Sequence, residues 1–176
     1  CALPICKDPL IVLGDADIES AAAFAARNAF RNSVQVCVST ERIYVDATIA
    51  DEFNAALVEK AGELVQGSGM DEATNIGPMI NARQKAHVLD QVESAVKDGA
   101  RVLFGGGEGD GNYCPITVLS GVSHDMDIMH AETFGPIACI MRVKDENEAV
   151  DLANDTPYGL GAAVFSGDTR SEEHTS

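Results

Sequence analysis

Cys37 is the residue in this chain best placed to do chemistry. It follows an alanine-rich segment by a few residues and is flanked by Gln35, Ser39 and Thr40, a polar setting rather than an apolar run. A lone cysteine commonly serves as a small buried hydrophobe. A loop cysteine beside backbone amides can instead be a thiolate nucleophile, because nearby N–H dipoles favour the anion. Cys114 and Cys139 lie inside strand-like runs, where burial is the expectation. The five cysteines are odd in number, irregular in spacing and without a CxxC pair, so neither a disulfide framework nor a zinc ribbon is indicated. His124, His130 and His174 are not at metal-ligand spacing with any cysteine, and no HExxH occurs, so no metal is expected. The glycine-rich stretch 105–111 lacks the Gly-Lys-Ser/Thr ending of a phosphate loop and opens no helix. It reads as a turn between two strands.

The elements that must position Cys37 alternate between strand and helix. Residues 9–13 form a continuous apolar run ending at Gly14, consistent with a strand covered on both faces. Asp15 and Asp17 offer N-caps to a helix over 18–30, in which Ile18, Ala22, Ala25, Ala26 and Ala29 share a face. A strand over 42–45 and a helix over about 49–64 follow. Asn81 caps a further helix running through Val88, Val92 and Val96 to a stop at Gly99. Strands are then expected at 101–104, 115–122, 135–143 and 160–165, with a helix at 146–153. This alternation predicts an α/β fold, a largely parallel sheet flanked by helices, in one unit without an internal boundary.

The chain has 176 residues, 45% hydrophobic and 23% charged, with 6 prolines, a globular composition. Lys plus Arg is 12 against 28 Asp plus Glu, a net charge of −16. Such a field repels phosphate backbones and anionic lipid, so neither nucleic acid nor membrane is expected as a partner. No apolar stretch approaches the roughly 20 residues that span a bilayer. No secretory signal is readable, and a cytoplasmic location is the expectation.

The octapeptide Phe30-Arg31-Asn32-Ser33-Val34-Gln35-Val36-Cys37 resembles the cysteine signature of the NAD(P)-dependent aldehyde dehydrogenase superfamily, aromatic-x-Asn-x-Gly-Gln-x-Cys. Lys7-Asp8-Pro9 leading to Asp15-Ala16-Asp17 is similar to the stretch that follows that family's Glu-Leu-Gly-Gly. Asn75-Ile76-Gly77-Pro78-Met79-Ile80 resembles its Gly-Pro segment, and Glu132-Thr133-Phe134-Gly135-Pro136 its Glu-x-Phe-Gly-Pro motif. Asn154-Asp155-Thr156-Pro157-Tyr158-Gly159-Leu160 resembles its Asn-x-Thr-x-Tyr-Gly-Leu. The likeness runs through residues 7–169.

What this resemblance implies is the catalytic domain of an aldehyde dehydrogenase, with the nucleotide-binding domain absent. Cys37 would attack the aldehyde and pass through a thiohemiacetal and a thioester, with NAD or NADP as hydride acceptor. Glu132 would accept hydrogen bonds from the nicotinamide-side ribose, and Phe134 would pack near the nicotinamide. Gln84 and His87 would lie near the cofactor's other ribose. The parent would act as a homo-oligomer, a dimer or tetramer.

Three departures accompany the likeness. Val34 stands where the family has glycine, and a positive φ there would strain a β-branched residue. The family's general-base glutamate falls at Leu3, and its two glycines fall at Ile5 and Cys6. The oxyanion-hole asparagine would precede residue 1. Residues 170–176 resemble the translation of a common sequencing-library adapter, and residues 1–5 read as its opposite strand, with Cys6 at the junction. On that reading 7–169 derive from a gene, 1–6 and 170–176 are non-native, and the chain alone is not expected to turn over. The alternatives are a non-catalytic structural or binding member of the same fold, and a coenzyme A-acylating relative whose release step needs no glutamate.

Overall fold

The computed structural model describes residues 6–168. In chain order the elements are β1 (Asp8–Val12), α1 (Ile18–Phe30), a 3-10 turn (Arg31–Val34), β2 (Thr40–Asp46) and α2 (Ala50–Gly62). Then come α3 (Ala82–Lys97), β3 (Arg101–Phe104), β4 (Thr117–Ser120), α4 (Asp127–His130), β5 (Ile137–Val143), α5 (Glu146–Asn154) and β6 (Ala163–Phe165). The strands form one sheet in the order β3-β4-β5-β2-β1-β6. Every neighbouring pair is parallel except β3 with β4.

Helices cover both faces, which is why residues 9–12 of β1 and 43–45 of β2 are unbroken apolar runs. Leu10, Val12, Ile43 and Val45 point to the α1–α2 side, while Ile11 and Tyr44 point to the side of α3, α4 and α5. On the first side, Ala21, Ala22, Ala25 and Ala29 leave almost no bulk on α1, so Phe53 and Leu57 of α2 are fully buried in the same cluster. Each such side chain contributes about 1.5–3 kcal/mol relative to exposure. Asp17 caps α1, accepting from Ser20 N at 2.7 Å, and Asn81 caps α3, accepting from Gln84 N at 2.9 Å.

Helix α3 runs from the expected Asn81 cap to within two residues of the expected stop at Gly99. Lys85, Val88, Gln91 and Ala95 are buried, and Val96 is 42% exposed. Successive helical residues are rotated by about 100°, so turning Ala95 into the core carries Val96 out of it. The glycine-rich stretch does link two strands, β3 and β4. Buried Lys85 anchors it, its Nζ donating to Gly109 O at 3.1 Å and Gly111 O at 2.7 Å. The α4 turn and the 3-10 turn were not expected.

Parallel order has a consequence for function. The segments that enter β1, β2, β4, β5 and β6 must all lie along one edge of the sheet. Asp8 pairs with Thr40, Thr117 with Ile137, and Leu10 with Ala163, so these strands begin nearly level. Cys37 lies three residues before β2 and Phe134 three residues before β5, on adjacent strands of that edge.

Candidate active site

The loop that carries Cys37 begins in a left-handed turn. Asn32, Ser33 and Val34 take φ values of 54°, 54° and 57°. Val34 is also fully buried, so a β-branched residue occupies a conformation that costs an ordinary residue about 1–2 kcal/mol. Two side chains dock this turn onto the segment before α3. Ser33 Oγ donates to Gly77 O at 2.6 Å, and Gln35 Oε1 accepts from Ile80 N at 2.7 Å. Gln35 Nε2 reaches Pro78 O at 3.4 Å. The turn is thereby closed, and Cys37 beyond it is exposed.

The remaining described cysteines are buried, as expected for Cys114 and Cys139. Burial pushes the Cys114 thiol up to about 11 and the Cys139 thiol up to about 12. Cys6 is raised further, by burial first and then by its bond to Glu132, whose Oε1 lies 3.2 Å from Cys6 Sγ and 3.4 Å from its backbone N. All three are protected neutral thiols. Cys37 is the accessible one of the four.

On the neighbouring loop, Glu132 and Phe134 are half-buried, and Phe134 takes φ 51°. Glu41, the second residue of β2, holds this loop: its Oε2 accepts from Thr133 N at 2.9 Å and its Oε1 from Phe134 N at 3.1 Å. Lys7 Nζ lies 2.7 Å from Glu41 Oε2 and donates to Thr133 Oγ1 at 2.8 Å. Arg42, also buried, donates through Nε to Lys7 O at 2.8 Å and through Nη2 to Ala153 O at 2.9 Å, fixing the end of α5. From α3, Gln84 Nε2 donates to Thr133 O at 3.0 Å, and His87 Nε2 lies 3.2 Å from Glu132 O. Gly135 follows because a Cβ there would run into the Val88 side chain of the same helix. A cleft of about 350 Å³ opens beside Lys7, Asp8 and Arg42, walled by residues of the 154–162 loop. Asp8 Oδ1 accepts from Gly161 N at 3.1 Å, tying that loop to the start of β1.

Comparison with known proteins identifies the family and the fold. The model of the aldehyde dehydrogenase family matches residues 6–176. The chain belongs to the aldehyde dehydrogenase family. It is 42% identical over 164 residues to "Aldehyde dehydrogenase, cytosolic 1" of Rattus norvegicus, covering 92% of this chain and 33% of that protein. It superposes on 3,6-anhydro-L-galactose dehydrogenase in complex with NAP with a TM-score of 0.90 at 38% identity, over 96% of this chain and 37% of that one. Betaine aldehyde dehydrogenase from Staphylococcus aureus in complex with NAD+ gives 0.93 at 32% identity, over 97% and 35%. The chain thus spans about a third of the length of the relatives it matches.

Within this aldehyde dehydrogenase segment the fold joins motifs that are far apart in sequence. The cysteine signature is bonded to the Gly-Pro segment, and the Glu-x-Phe-Gly-Pro loop to residues on both sides of the cysteine. Glu41 went unremarked in the sequence, and Lys7 entered only as part of the Lys7-Asp8-Pro9 likeness, with no role of its own. A glutamate between Thr40 and Arg42 reads as the polar mouth of a strand, and the partners that bury it lie 34 and 92 residues away. Leu3 and Ile5, on which the base and one glycine would fall, lie outside the described residues, as do 1–5 and 169–176 as a whole.

Proposed function

We propose that this chain supplies the nucleophile-bearing part of an NAD(P)-dependent aldehyde dehydrogenase, with Cys37 as nucleophile and Glu132 and Phe134 as the nicotinamide-side contacts. The observation that carries this reading is the contrast among thiols. Cys37 is exposed on a turn closed by Ser33 and Gln35, while Cys6, Cys114 and Cys139 are buried with raised pKa values. Glu132 and Phe134 fit a nicotinamide riboside, since a half-buried carboxylate suits two hydroxyl donors and the adjacent ring offers a flat apolar face. A bound NAD or NADP supplies the hydride acceptor.

Cys37 Sγ adds to the carbonyl carbon, and backbone N–H groups of its loop offset the charge on the oxygen. Loss of hydride from that carbon leaves a thioester on Cys37. Attack by water, or by coenzyme A in an acylating branch, breaks the C–S bond and restores the thiol. Cysteine suits this sequence because a thioester is stable enough to form and reactive enough to release.

The test uses the complete gene product, mixed with an aldehyde and NAD or NADP and quenched for mass spectrometry. An acyl adduct on Cys37 is expected, together with a loss of turnover of about a thousandfold or more in Cys37→Ala. An adduct on another residue, or a Cys37→Ala variant with full turnover, sinks the proposal.

A further inference from the structure

We infer that Glu41 is a positioning residue, fixing the Glu132–Phe134 loop at a set distance from the Cys37 loop; the inference rests on the roles proposed for those residues. Glu41 lies four residues beyond Cys37 on the same chain and is 2% exposed. Both of its carboxylate oxygens are occupied by the other loop, Oε2 by Thr133 N and Oε1 by Phe134 N. Two successive backbone N–H groups thus converge on one carboxylate, and the chain turns left-handed directly after them, at Phe134 with φ 51°. Lys7, 1% exposed, neutralises Glu41 and bonds Thr133 Oγ1 as well, so the lysine also grips the loop.

Stability alone does not explain this arrangement, since a buried ion pair replaced by well-packed apolar groups is often neutral or stabilising. What an apolar pair cannot do is direct two amides. With the clamp in place, Glu132 and the thiol are carried by one rigid unit running from β2 to the start of β5. Loosening it should affect how the dinucleotide is held before it affects the chemistry at Cys37.

Two variants of the complete gene product test this. Glu41→Asp keeps the charge beside Lys7 but is too short to serve both amides. The Lys7→Met/Glu41→Gln pair removes both charges together, so that neither is left buried alone. Hydrogen exchange resolved to single amides should quicken by about tenfold or more at Thr133 and Phe134, with Ile140 in β5 unchanged. The KM for NAD or NADP should rise by about fivefold or more, while alkylation of Cys37 changes by less than about twofold. Folded variants that keep full protection at Thr133 and Phe134 overturn the inference, and so does a loosened loop with an unchanged dinucleotide KM. Absence of dehydrogenase turnover in the unmodified protein overturns the proposed function instead, and the exchange result still decides whether Glu41 holds the loop.

Discussion

Two loops frame the site, and they are held by opposite means. The 32–37 loop rests on neutral hydrogen bonds from Ser33 and Gln35 to backbone groups of 77–80, and its Cys37 is open to solvent. The 132–134 loop rests on a carboxylate and an ammonium that are both almost fully buried. The first loop buries Ser33 and Val34 and leaves its thiol at the surface, and each of its anchors is a neutral bond worth about 1 kcal/mol. A loop that must hold a fixed contact is tied to the core, where a carboxylate gripping two amides strongly restricts its position. The second design is more rigid, and it fails harder when one partner is removed.

The largest effect follows from that asymmetry. Lys7→Met leaves Glu41 buried without its cation and should cost about 3–5 kcal/mol. Ser33→Ala, which removes one neutral bond from the other loop, should cost about 1 kcal/mol. Denaturant unfolding of both variants, with the midpoint shift read at unchanged slope, gives the two values. Equal losses would mean that the two anchors are of one kind, and the comparison would fall.

A smaller effect sharpens the account of the 32–37 loop. Val34 is buried at φ 57°, so a substitution changes packing and strain together. Comparing Val34→Gly with Val34→Ala separates them, because both lose most of the packing and only glycine is free of the strain. Glycine should be the more stable by about 1 kcal/mol, the reverse of the order in a helix. If alanine is the more stable, the turn is not left-handed at this position in solution.

The sequence carried the frame of this molecule further than it carried the site. Helix α1 was legible to the residue because its cap, its alanine face and its aromatic end are all local signals. The parallel sheet followed from alternation. Val34 stood out only because the resemblance places glycine there, and the structure supplies the positive φ that makes the difference matter. The resemblance also singled out Cys37, Glu132 and Phe134, but not the residues that hold them. Lys7, Glu41 and Arg42 look like the solvated ends of two strands. Their burial depends on loops arriving from 92 to 126 residues away, which no local pattern encodes. On α3 the cap and the stop were local signals, while the buried stripe of Lys85, Val88, Gln91 and Ala95, two of them polar, was not legible, and Val96 lies 42% exposed.

The smallest expected effect is a slope, and it concerns a carboxylate beside the clamp that is held more sparely than Glu41. Asp8, next to Lys7, is buried and receives one backbone N–H, from Gly161, where Glu41 receives a lysine and two amides. Burial raises the Asp8 pKa, partly countered by the Gly161 N–H, with Glu41 adding to the rise and Arg42 opposing it. An acid whose folded pKa lies above its unfolded one favours folding when protonated. Its contribution is therefore fully present below the ordinary aspartate value and is lost as pH climbs through the raised one. Asp8→Asn keeps an oxygen for Gly161 N and has no charge to desolvate. The stability of this variant relative to the unmodified chain should rise across that window and stay flat on either side, as followed by unfolding midpoints at a series of pH values. A flat difference throughout would mean that water reaches Asp8 in the folded protein, and that the start of β1 is more open than the clamp one residue before it.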